Sequence, residues 1–428
     1  MFRFAATLFG AIPLLMAVVH ADVASAEALP RAGASSHGFS APRLQRLHGF
    51  MQQTVTPGGY LGAVTLVMRD GEVVDYRAYG HRDLARHAPM QKDSIFRIYS
   101  MTKTVASVAV LILLEEGRIG LNDPVARYLP EFATMQVATG TAKAPTLRPA
   151  AGPITIRQLL THTAGFPAGL PGDDAAAMLA TRSDPQAATD LRDFVQRLGR
   201  APLAADPGAR FGYDGAGLEV LARLVEVVGG MPFEAFLQQR ILDPLQMRDT
   251  GFSVPAAQRH RVVDITTMGE RGQLVLDDGP SAMQPGARLR PYASAAGGLY
   301  STAADYARFC QMLLDGGSLG DVSILGRKTV ELMMTNQLLL DPPVTQFSDA
   351  EGFGLGGYVV IDAARRGQLG SPGQFGWSGA ASTSYTIDRH ERLIAIVMLQ
   401  HLPRSDIDND LPRISRPFYN LVYQALVP

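Results

Sequence analysis

In "RIYSMTKTVASVAVLILLEEG", Arg97 to Gly117, apolar residues fall at Val105, Val108, Ala109, Ile112 and Leu113. That is helical spacing, and the positions between them are nearly as apolar, so the pattern predicts a buried helix. Gly117 and the turn at Pro124 close it. A second helix is expected near Ala41 to Thr54. "GAVTLVMRDGEVVDYRAYG" is two β-rich runs around Asp70-Gly71, a hairpin signal. "PITIRQLLTHTAG" predicts a helix capped by Thr155 and ending at Gly165, and "GLEVLARLVEVVGGMPFEAFLQQRIL" predicts two helices joined at Gly229-Gly230. Near the other end, "FGLGGYVVID", "FGWSGAASTSYTID" and "RLIAIVMLQH" read as sheet strands, followed by a closing helix in "RISRPFYNLVYQAL".

Strands at both ends of the chain with helices between them predict an α+β fold. One antiparallel sheet is built from both ends and flanked by helices, with a mostly helical lobe inserted. The sheet lobe is expected at about 40–132 and 291–428 and the helical lobe at about 133–290, with the cleft where they meet. The chain carries no internal repeat.

Composition narrows the choice of partner. The 428 residues are 46% hydrophobic, enough for a large core, and 39 basic residues nearly balance 40 acidic ones. No long stretch is strongly basic, so neither nucleic acid nor an anionic lipid surface is an expected partner; a small molecule is. The first 26 residues place Arg3 before an apolar run from about Phe4 to Val19 and small residues at Ala24-Ser25-Ala26, the pattern of a secretory signal cleaved after Ala26. A retained membrane anchor is the alternative, disfavoured because Gly10 and Pro13 break a short run. No other segment is long and apolar enough to span a bilayer, so a periplasmic or secreted location is expected. Cys310, the only cysteine, lies on an apolar helical face and is expected in the core, leaving stability to packing. The sequence carries no signal of oligomeric state.

The opening helix also holds the candidate chemistry. Ser100 and Lys103 stand at i and i+3, one turn apart on one face. At the mouth of a buried helix, desolvation disfavours an ammonium, and a neutral lysine amine can take a serine proton. The helix's first N–H groups favour negative charge developing on a substrate oxygen. The plainer alternative makes Ser100 an N-cap and Lys103 a solvated first-turn residue. A rival serine, Ser318 in Gly316-Gly317-Ser318-Leu319-Gly320, fits G-x-S-x-G, but it follows a helix and so lacks the strand-to-helix elbow that motif needs. His162 is read as a structural polar residue near the cleft. No metal-ligand spacing and no glycine-rich phosphate cradle occurs, so no cofactor is implied.

Six segments in order, "FRIYSMTKTVAS", "LLTHTAGF", "FGYDGAGLEVLARLVEVVGG", "LDPLQMRDTGF", "AAGGLYSTAADYARF" and "FGWSGAASTSYTID", carry a resemblance over nearly all of the chain beyond the signal. The sequence resembles the serine β-lactamase and penicillin-binding-protein superfamily, with its β-lactamase-like (DD-peptidase) fold, and most closely the class C β-lactamase-like family VIII carboxylesterases. The resemblance implies Ser100 as nucleophile, Lys103 as base and Tyr213 as a proton relay held near a lysine. It maps the third motif onto Trp377-Ser378-Gly379 and gives the Ala380 N–H, with that of Ser100, to an oxyanion hole. Two departures stand out: Gly215 replaces the asparagine of Tyr-x-Asn, and Trp377 replaces the lysine of Lys-Thr-Gly. The implied function is a serine hydrolase forming an acyl-enzyme, foremost a carboxylesterase for short acyl esters. A weak β-lactamase, a D-amino-acid peptidase, an acyltransferase and a non-catalytic binding protein on the same fold are the alternatives.

Overall fold

The computed structural model describes residues 1, 29–404 and 410–428, so the expected signal segment and its cleavage site lie outside the described residues. Seven antiparallel strands form the main sheet, in the spatial order Glu351–Phe353, Tyr358–Val360, Phe375–Ser378, Ser384–Asp388, Leu393–Met398, Gly62–Arg69, Glu72–Gly80. Gly62–Arg69 pairs with its hairpin partner on one side and with Leu393–Met398 on the other, in a register that sets Val64 beside Met398 and Arg69 beside Leu393. This pairing joins the two distant parts of the chain. The hairpin turns at Asp70 and Gly71, with φ of 52° and 84°, the left-handed pair that a two-residue turn requires.

These central strands are apolar on both faces because both faces are covered. Side chains alternate across a strand. Val64, Leu66, Met68, Ile394, Ile396 and Met398 join the core that contains helices Thr102–Glu115 and Ala303–Leu314. Ala63, Val67, Leu393, Ala395 and Val397 face the other way, onto helices Ala41–Thr54 and Ser415–Tyr423. The Thr102–Glu115 helix is buried from Thr102 through Leu113, sharing the larger core with the sheet and with helix Ala216–Gly229. It is tied to the far end of the sheet by Thr104, whose hydroxyl donates to the Gly356 carbonyl at 2.7 Å.

Between the two parts of the sheet lie mainly helices, with small hairpins that include Gln136–Thr141 with Ala144–Pro149, Thr266–Met268 with Leu274–Leu276 and Ser318–Leu319 with Val322–Ser323. The helix capped by Thr155 runs only from Ile156 to Leu160 instead of reaching Gly165. Thr155 and Gln158 form a reciprocal capping box at its start, and His162, at φ 55°, takes the chain out of helical geometry. Helix Ala216–Gly229 ends at the glycine pair, and the next, Phe233–Leu237, continues into a wider turn over Gln238–Leu242. Cys310 is fully buried. Ser318 sits in a two-residue strand paired with Val322–Ser323, directly after a helix. No helix among the described residues is long and apolar enough to cross a membrane.

Candidate active site

The approach to Ser100 is rigid. Strand Phe96–Arg97 pairs with Tyr300–Ser301, and the fully buried Arg97 guanidinium stacks 4.0 Å from the centre of the Tyr300 ring. It donates to the Tyr300 hydroxyl at 2.7 Å and to the carbonyls of Ala287 at 2.6 Å and Gly298 at 3.2 Å. Tyr99 then adopts φ 42°, a left-handed conformation that a non-glycine residue holds only where its surroundings enforce it. This bend delivers Ser100 in a short 3₁₀ turn, Tyr99–Met101, before the helix proper. Met101 occupies the N-cap position with no side-chain cap, so Ser100 is not the cap of this helix.

Lys103 lies one turn on, only 4% exposed. Its Nζ donates to Ser100 Oγ at 3.0 Å and to the Ala296 carbonyl at 2.5 Å. The Tyr213 ring centre lies 5.0 Å from the same nitrogen. The tyrosine hydroxyl instead accepts from the Trp377 indole N–H at 3.0 Å, and the two rings pack with centroids 5.1 Å apart. Tyr213 thus lies near a lysine, with the lysine facing the ring and Trp377 holding the oxygen.

Behind Tyr213 sits His162, with ring centroids 4.6 Å apart and Nδ1 3.3 Å from an Asp214 carboxylate oxygen. Burial pushes the imidazole below its ordinary pKa against the pull of Asp214, and the Lys103 charge pushes the same way, so His162 is neutral. It supports the tyrosine and does not reach the serine. Gly379 follows strand Phe375–Ser378 and donates its N–H to the Thr383 carbonyl at 2.8 Å. A Cβ there would collide with Thr383 Oγ1 and the Ile98 carbonyl, so only glycine lets this turn close on the segment before Ser100. Ser100 and Ala380 both line the cavity that opens beside this turn.

Two cavities meet at Ser100 and Tyr213. The larger, about 610 Å³, is walled by Trp377, Tyr358 and Phe347 and by the strand end Ser378-Gly379-Ala380. The smaller, about 410 Å³, is bordered by Tyr99, Gly215, Glu219, Arg290 and Tyr292. Ser100 and Tyr213 line both cavities, Trp377, Ser378, Gly379 and Ala380 line the larger, and Lys103 reaches the junction from beneath through Ser100. Ser318 does not line it. Sequence reasoning missed Ala296, which holds the lysine, and Glu219, which is buried beside it. It also missed the cations of the larger cavity: Arg366, paired with Glu351 at 2.8 Å, and the exposed Arg413 and Arg416 at the final helix. Among the described residues no cluster of His, Cys, Asp and Glu is arranged to hold a metal.

A seven-stranded antiparallel sheet, with a serine and a lysine one turn apart at the foot of a buried helix, is the architecture of hydrolases built on the β-lactamase fold. The chain belongs to the beta-lactamase family, whose model matches residues 47–415. Esterase EstB of Burkholderia gladioli is 30% identical over 364 residues, covering 80% of this chain and 87% of its own. The lovastatin esterase of Penicillium rubens is 29% identical over 392 residues, 84% of this chain and 93% of its own. In fold, the chain matches the solved structure of EstCE1, a hydrolase with promiscuous acyltransferase activity, with a TM-score of 0.74 at 24% identity, over 90% of this chain and 98% of that one.

Proposed function

We propose that the protein is a carboxylesterase for short-chain acyl esters, working through an acyl-enzyme on Ser100. The observation that carries this reading is the 3.0 Å bond between Ser100 Oγ and a buried Lys103 amine at the meeting point of two cavities. With its amine neutral, Lys103 takes the hydroxyl proton as Oγ attacks the ester carbonyl. The Ser100 and Ala380 N–H groups receive the oxyanion. Tyr213 returns a proton to the departing alkoxide, and water then releases the acid by the same steps in reverse. The N-terminal segment supports action outside the cytoplasm.

Substrate preference follows from the two motif departures. Gly215 supplies no amide to an acylamino side chain, and the Trp377 indole N–H is already engaged by Tyr213. Arg413 and Arg416 bring positive charge to the larger cavity, but as exposed side chains, where a substrate carboxylate is screened by water. Each polar group of a β-lactam left without a partner in a desolvated site costs roughly 1 to 3 kcal/mol. The ratio of kcat/KM for 4-nitrophenyl butyrate over a chromogenic cephalosporin should therefore exceed about 10². A ratio favouring the cephalosporin would overturn the esterase assignment while leaving the serine mechanism standing.

A further inference from the structure

Glu219 lies in the first turn of helix Ala216–Gly229, 5% exposed, at the border of the smaller cavity. Its carboxylate accepts from the Ser294 hydroxyl at 2.5 Å and from the Ala295 N–H at 3.0 Å. The next carbonyl in that turn, Ala296 O, is the one bonded to Lys103 Nζ. The acyl-transfer steps give no role to this buried acid, although its acceptor turn is one residue from the lysine's anchor.

We propose that Glu219 is a positioning residue for Lys103: its carboxylate holds the Ser294–Ala296 turn whose carbonyl grips the amine, and its negative charge opposes release of the lysine proton. The proposal rests on the reading of Ser100 and Lys103 as nucleophile and base. An ionised carboxylate only accepts hydrogen bonds, so it matches the donors of Ser294 and Ala295, whereas a protonated one must turn a donor toward them. Burial pushes Glu219 up to about 7, against the hydrogen bonds of this turn and the nearby Lys103 charge, both of which draw it down. Near neutral pH the carboxyl is therefore part protonated. The titratable and charged groups around it are Lys103 from the nucleophile helix, Tyr99 before that helix, Tyr213 and Asp214 before its own helix, and Arg290 and Tyr292 from the facing loop. Of these Tyr292 is pushed up, first by burial and then by Glu219 itself, so it stays neutral.

The test is the pH dependence of Ser100 labelling by a fluorophosphonate, which reports the nucleophile without depending on the natural ester. In Glu219→Gln the negative charge is gone, so the lysine proton leaves more readily. The pH of half-maximal labelling should fall by about 1 to 2 units. Ser294→Ala removes one donor from the carboxylate, keeps the acid neutral to higher pH, and should move the midpoint in the same direction by less; it serves if Glu219→Gln does not fold. A rate lowered equally at every pH, with the midpoint unmoved in the folded variants, would make Glu219 a packing residue and overturn the proposal. A wild-type protein that is not labelled at Ser100 at any pH would instead remove the nucleophile reading, and this proposal with it.

Discussion

In the proposed mechanism Tyr213 is the proton donor to the leaving group. Its oxygen accepts the Trp377 N–H, so its own proton is free to point into the cleft, and that same bond stabilises the phenolate it becomes on donating. Lys103 Nζ lies 5.0 Å from the centre of the Tyr213 ring. Lys103→Ala and Tyr213→Phe should each lower kcat by roughly 10²- to 10⁴-fold. The phenylalanine keeps the ring packed against His162 and Trp377, so thermal unfolding should hardly change. A variant with normal kcat and a lowered melting temperature would reduce the tyrosine to packing. Ser100 and Lys103 were legible as a candidate pair from their spacing of three residues, and Tyr213 was named only through the resemblance. Glu219 was not legible, although an acid flanked by Leu218 and Val220 in an apolar run was a signal of burial. Its meaning depends on Ser294 and Ala295, 75 and 76 residues away in sequence.

At the scale of elements, helix Ala303–Leu314 carries its own buried acid. Thr302 caps the helix by accepting from the Asp305 N–H. The Asp305 carboxylate accepts from the Thr250 hydroxyl at 2.9 Å and the Asp249 N–H at 2.8 Å. A helix N-terminus favours a carboxylate, yet burial wins and raises Asp305 to about 6. The folded chain thus holds this proton more tightly than the unfolded one. Its stabilising contribution is complete below about pH 4 and is lost as pH rises through about 6. Asp305→Asn keeps an acceptor for both donors without the charge. Its stability relative to wild type should rise between about pH 4 and pH 8 by on the order of 3 kcal/mol; chemical denaturation at the two values measures it, and a difference independent of pH would contradict the assignment. Element legibility followed apolar pattern. Leu393–Met398, buried at every position, and helix Thr102–Glu115 were both plain in the sequence. The hairpin of Gln136–Thr141 and Ala144–Pro149 was not, because most of its positions are exposed and rich in threonine, alanine, proline and glycine. The early end of helix Ile156–Leu160 was hidden too, since it rests on the left-handed backbone of His162, which the apolar pattern does not mark.

At the scale of the whole molecule, strands 62–80 and 351–398 close into one sheet, and the residues around the cleft come from segments scattered across the sequence. Ser100 and Lys103 stand at the foot of the central helix, Tyr213 before the next large helix, Ala296 on the loop that precedes Tyr300–Ser301, and Trp377 to Ala380 at a strand end. No one of these elements builds the site alone, which is why the order of motifs was readable while the shapes of the two cavities were not. All of them converge on Ser100, whose oxygen must become acylated if the protein works as proposed. The direct measurement is to quench steady-state turnover of 4-nitrophenyl butyrate with acid and map the protein by mass spectrometry. The predicted result is one butyryl group on the peptide that contains Ser100, absent in Ser100→Ala together with about 10⁴-fold or more of the activity, and unchanged in Ser318→Ala. A butyryl group on another residue, with Ser100→Ala still turning over, would contradict it.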